Sequence, residues 1–192
     1  MTPEFGATAW GRAWLRLAEP TTVTTVDTRL PKARALARRG RVESLMTAPG
    51  RIDAVVRTHD AEHPVRFAFP PWDDAARGRI DAFLGEDPAA RRALSGGDAP
   101  DELAAAVGDV APDEDAVEAA CRCRERRRPC LHQLAVLYAL VQRIDEEPTL
   151  ALALRGWDRS GAAVDDSGAA PVPLAALDPA RFYTWRGAPA DG

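Results

Sequence analysis

Lysine is almost missing from this 192-residue chain: Lys32 is the only one, against 24 arginines. With so much Ala, Pro and Gly, the imbalance reads as the mark of a GC-rich genome rather than a functional choice. Arginine content alone therefore carries little weight. Apolar runs long enough to span a membrane are missing too. The first residues lack a basic stretch followed by an apolar one, so no secretory signal is expected and a cytoplasmic protein is. The chain contains no G-x-x-x-x-G-K-[ST], no G-x-G-x-x-G and no G-x-S-x-G. Those absences remove the phosphate-cradling loop, the dinucleotide fingerprint and the serine-hydrolase elbow. Cysteine is scarce: three residues, all between 121 and 130. An odd, clustered set is a poor disulfide framework and a good metal or redox set.

What remains is an ordinary globular composition. Hydrophobic residues make up 46%, enough for a real core, and charged residues 28%. The net charge of −4 argues that the protein as a whole is no electrostatic nucleic-acid binder, so such contact would need local basic patches.

The segment 5–15 reads as a short helix with Thr8 as N-cap and Trp10, Ala13, Trp14 and Leu17 on one face, ended by Pro20. The two tryptophans read as core anchors rather than as a base-stacking pair. The β-branched run 21–28 predicts a strand, and three more follow at 41–47, 51–58 and 64–69. Pro49-Gly50 marks the turn between the first two of these, so an antiparallel meander is expected. Helices are expected over 72–84, 87–94 and 100–107, then a strand over 116–123. From about 130 a helix carries Leu134, Leu137, Tyr138, Val141 and Ile144 at helical spacing. Pro148 opens another short helix that Gly156 closes. The stretch 98–118 holds eight acidic residues and no basic one and reads as a solvated face. Residues 158–180 read as a linker, with Phe182, Tyr183 and Trp185 docking back on the body.

The chemistry concentrates in Cys121-Arg122-Cys123, six further residues, then Cys130-Leu131-His132. Cys₃His is a standard structural zinc set, and Cys121, Cys123, Cys130 and His132 are the candidate ligands. One pair ends a strand and the other sits in the first turn of a helix, whose dipole favours thiolate. Four protein ligands leave no open position for water or substrate, so the expectation is one structural zinc and no enzyme.

The spacing Cys-x-Cys-x₆-Cys-x-His before an apolar helix resembles the SWIM-type zinc finger. The likeness extends to Phe5-Gly6-x-Thr8-x-Trp10-Gly11-x-Ala13-Trp14, to Ala37-Arg38-x-Gly40-x-Val42, to Pro129-Cys130-x-His132-x-x-Ala135-Val136-x-Tyr138 and to Leu154-Arg155-Gly156. The resemblance implies zinc-dependent binding of DNA or of protein partners, with bacterial members working beside SNF2-type helicases. The chain departs from that pattern in two places. Residues 124–128 are Arg-Glu-Arg-Arg-Arg where aromatic or acidic residues are usual, and Leu131 stands where Lys is usual.

Arg122, Arg124, Arg126, Arg127 and Arg128 have two readings. They contact phosphates, or they offset the negative charge of zinc with three thiolates. A second basic run, residues 29–41, adds Arg38, Arg39 and Arg41 as candidate phosphate contacts if the fold brings it beside the finger. No aromatics are interleaved with either run to stack bases. His59-Asp60-Ala61-Glu62-His63 matches the H-x-x-E-H peptidase pattern, but that motif works on a helix, and Pro64 and strand-like flanks point to a hairpin loop. A CDGSH-type iron–sulfur site also takes three Cys and one His, yet needs longer spacing and Asp-Gly after the third cysteine, where Leu131 stands.

The expected fold is α+β. An antiparallel sheet with packed helices fills 1–110, a zinc-stabilised strand-turn-helix and its following helices fill 111–156, and a linker and tail fill 157–192. The expected function is a nucleic-acid-binding or accessory subunit, with a protein adaptor as the alternative. A continuous basic face joining 38–41 to 122–128 would favour nucleic acid; an exposed apolar patch around Trp157 or Trp185 would favour a protein partner.

Overall fold

The computed structural model describes residues 5–21 and 27–158. They belong to one compact unit that ends at Asp158. The fold is α+β: a four-stranded antiparallel sheet with seven helices among the described residues.

Helix α1 (Ala9–Leu15) starts at Thr8, whose side chain accepts from the Gly11 N–H, and it ends five residues before Pro20. Trp10 and Trp14 are both fully buried, so they are core anchors. The predicted strand at 21–28 lies mostly outside the described residues; Asp27 and Thr28 are not in a strand. Helix α2 (Leu30–Arg38) occupies the basic run, which the sequence pattern left without a secondary structure.

Strands β1 (Val42–Ala48), β2 (Arg51–Arg57) and β3 (Glu62–Ala68) form the expected meander. Gly50 makes the first turn at φ 69°, and its N–H and carbonyl bond to Leu154 and Phe69. Strand β3 begins two residues earlier than the pattern predicts and includes Pro64, which pairs with Val55. Pairing of β3 to β4 (Glu118–Cys121) begins only at Val65, so Pro64 lies where β3 has a single neighbour and its missing N–H costs little. The sheet order is β1-β2-β3-β4.

Helices α3 (Asp74–Glu86), α4 (Pro88–Ser95) and α5 (Asp101–Val107) follow, the first two capped by Asp73 and Asp87. A single 3₁₀ turn, Glu114–Ala116, leads into β4. Helix α6 (Leu131–Glu146) runs through the centre, against α1, α2 and the sheet. Its residues Leu134, Ala135, Val136, Leu137, Tyr138, Leu140, Val141 and Ile144 are all buried. Helix α7 (Thr149–Leu154) ends at Gly156, φ 80°. Trp157 is buried and donates to Asp81, so no exposed patch forms around it; Trp185 lies outside the described residues. No helix among the described residues is long and apolar enough to cross a membrane.

Candidate metal centre

Three elements bring four donors together. Cys121 is the last residue of β4, Cys123 follows in the loop, Cys130 is the N-cap of α6, and His132 lies in that helix's first turn. Their ligand atoms all lie within 4.8 Å of one another, and Cys121 Sγ stands 3.9 Å from His132 Nδ1. Tetrahedral zinc bonds of 2.0–2.3 Å would space such atoms about 3.5–3.8 Å apart, so the cluster closes around an ion with small shifts.

The local sequence builds this arrangement. Cys130 Sγ accepts from the Gln133 N–H while Gln133 Oε1 accepts from the Cys130 N–H at 2.7 Å, a reciprocal cap in which a thiol replaces the usual hydroxyl. Glu125 holds the loop to the same helix end: its Oε2 accepts from the Leu131 N–H at 2.8 Å. Its Oε1 pairs with Arg29 Nη1 at 3.2 Å, and the same Nη1 donates to the Pro129 carbonyl. The α2 start is thereby tied to the loop.

The electrostatics call for a cation. Burial pushes the Cys130 thiol up to about 12. Burial also raises Cys121, outweighing the Cys123 N–H that acts to lower it. Burial acts the same way on Cys123, but the Glu125 N–H and bonds from Cys130, Arg128 and Cys121 outweigh it and hold that thiol below its ordinary value. Three facing thiols resist ionising together unless positive charge sits among them. His132 is held below the usual imidazole range by burial and then by His63, which keeps its ring neutral and able to donate a lone pair. His63 Nε2 in turn lies 3.4 Å from Thr58 Oγ1.

The family model of the SWIM zinc finger matches residues 106–141. That segment is a SWIM-type zinc finger. The SWIM segment therefore includes the end of α5, the acidic connection, β4, the ligand loop and most of α6. Over 155 residues the chain is 30% identical to the uncharacterized protein Rv2102 of Mycobacterium tuberculosis, a match that takes in 75% of this chain and 56% of that relative. The chain thus spans little more than half the length of the curated relative it matches. No solved structure matches.

The arginines of the finger divide into two groups. Arg128 turns inward: Nη1 lies 3.7 Å from Cys123 Sγ and 2.9 Å from the Glu125 carbonyl, and Nη2 lies 3.4 Å from the Cys121 carbonyl. Arg127 pairs with Asp27 at 3.7 Å. Arg122, Arg124 and Arg126 are exposed and have no polar partner among the described residues. Arg38, Arg39 and Arg41 are exposed at the far end of α2 from Arg29, about 13 Å along the helix from the ligand loop. They also adjoin β1, the sheet edge opposite β4. Arg38 lies over the Phe5 ring, 5.4 Å from its centroid. The fold therefore sets the two basic groups at opposite ends of α2.

The H-x-x-E-H residues form no helical pair. His59 sits in the β2–β3 turn, almost fully exposed and bonded to Asp60, while Glu62 and His63 belong to β3. Sequence reasoning missed three contributors to the centre, His63, Glu125 and Arg29. All three lay inside patterns read for other reasons, and only Glu125, set among arginines, offered a local signal.

Proposed function

We propose that this chain is a structural zinc module whose cationic knuckle holds nucleic acid by its phosphates. It holds one zinc, and it acts in the cytoplasm as an accessory subunit beside a motor such as the SNF2-type helicases that the family resemblance implies. The carrying observation is the free set Arg122, between the first two ligands, and Arg124 and Arg126, on the loop between the two ligand pairs. These side chains serve no internal bond among the described residues, unlike Arg127 and Arg128. Four protein donors saturate a tetrahedral ion, which supports a binding role over catalysis. With a net charge of −4, the binding is weak, sequence-tolerant and dependent on salt.

The second reading is a protein adaptor with a purely structural zinc. Arg127 and Arg128 favour it, because both are spent on internal partners. Binding to single- and double-stranded DNA and RNA across a salt series separates the two. On the first reading, affinity falls with salt at a slope of about 0.9 per phosphate contact, and replacing Arg122, Arg124 and Arg126 with Ser flattens it by roughly two to three units. Zinc content stays as in the wild type. Absence of binding to any of these polymers at low salt leaves the adaptor.

A further inference from the structure

One buried donor is left over beside the metal centre. Gln133 is fully buried, and its Oε1 takes the Cys130 N–H at 2.7 Å, which fixes the oxygen end of the amide. The other end, Nε2, has no hydrogen-bond partner among the described residues. A buried amide nitrogen without a partner is costly, and such groups are rare in folded chains.

Gln133 also lines a hollow of about 410 Å³. Leu137, one turn further along α6, lines it too, so this face of the helix is turned to the hollow. Leu17, Phe67, Val117 and Pro129 complete the apolar wall. Leu17, Phe67 and Leu137 are buried, while Ala119 on the rim is exposed, so the hollow has a closed apolar side and an open one. That size, an apolar lining and a convergent donor are the marks of a small-molecule site. The rim sets Arg128 against Glu114 and Asp115, all three exposed. Arg128 is already engaged with the Glu125 and Cys121 carbonyls. Neither sign of charge has the rim to itself, and the donor left over is a neutral amide.

We propose that this hollow binds a small neutral molecule with an apolar body and a carbonyl oxygen, which accepts from Gln133 Nε2. The body displaces water from Leu17, Phe67 and Leu137, and the oxygen meets the unpaired donor. The two rim carboxylates disfavour an anion, and an ammonium offers the amide no acceptor. The site uses none of Arg122, Arg124 and Arg126, so it is independent of what the knuckle binds.

The test uses the full zinc-loaded chain, labelled with ¹⁵N, and the ketone benzylacetone as probe. The Gln133 side-chain amide signal is identified by its loss in Gln133→Glu. The expected result is a saturable shift of that signal and of the Ala119 and Leu137 backbone amides. The matching hydrocarbon, in which a methylene replaces the carbonyl oxygen, binds at least about fivefold more weakly. So do hydrocinnamate and phenylpropylammonium, which carry the same ring and one charge of either sign. Gln133→Glu keeps an oxygen for the Cys130 N–H and removes the donor, and it weakens the ketone by the same factor, read at Ala119 and Leu137. Ala119→Phe fills the hollow from an exposed position and also weakens the ketone, with zinc content unchanged. The proposal is overturned by no saturable shift of the Gln133 signal up to millimolar ketone. It is equally overturned if the hydrocarbon or either ion binds as tightly as the ketone, or if Ala119→Phe binds the ketone like wild type.

Discussion

His63 stacks flat on His132, ring centroids 3.7 Å apart and planes 13° from parallel. One ring belongs to β3 and the other to the first turn of α6. The stack covers the imidazole that completes the donor set and fixes its plane. Groups that orient a ligand in this way commonly change metal affinity by about 10–100-fold. His63→Ala therefore keeps zinc but gives it up to a colorimetric chelator about tenfold faster. Unchanged release kinetics would remove His63 from the account.

Arg29 is the second support. Its guanidinium bonds Asp27, Glu125 and the Pro129 carbonyl at once, and it is only 15% exposed. Hydrogen bonding to Arg29 holds the Asp27 carboxyl down to about 2. Arg29→Ala leaves Asp27 with only Arg127 at 3.7 Å and Glu125 with only the Leu131 N–H, both beside the ligand loop. It should cost roughly 2–3 kcal/mol, read in urea unfolding of the zinc-loaded protein. A loss below about 0.5 kcal/mol would mark Arg29 as an ordinary surface residue.

Gly11 and Asp145 make a third test, remote from the metal. The Asp145 carboxylate accepts from the Gly6 N–H at 2.7 Å, from the Thr8 N–H at 2.9 Å and from the Thr8 hydroxyl at 3.0 Å. A Cβ on Gly11 would overlap that carboxylate. Gly11→Ala should destabilise by about 3 kcal/mol, because the clash displaces an acceptor serving three donors. The matched control is Gly78→Ala, where an added Cβ meets open space. On an exposed helix position that change is neutral to stabilising by up to about 1 kcal/mol. Equal effects at the two positions would contradict the packing described.

The parts that show in the sequence are those set by local pattern. The spacing of the four donors, the Pro49-Gly50 turn and the apolar stripe from Leu134 to Ile144 each act within one or two elements. Helix α2 escapes because its buried face is only Ala33 and Ala37, too small to stand out among arginines. Those alanines four apart after Pro31, near the helix start, are the signal that could have found it. The β3–β4 pairing, the His63 stack and the Arg29–Glu125 bridge join residues roughly 50–100 positions apart, where periodicity carries no information.

Metal content is the most direct test of the central claim, that Cys121, Cys123, Cys130 and His132 hold one structural zinc. Elemental analysis of the purified chain should give about one zinc per molecule, and Cys130→Ser and His132→Ala should each abolish it. Because binding and local folding are coupled, both variants should lose protection of the α6 amides in hydrogen exchange. A wild-type protein that is folded, metal-free and unable to take up zinc would contradict the account.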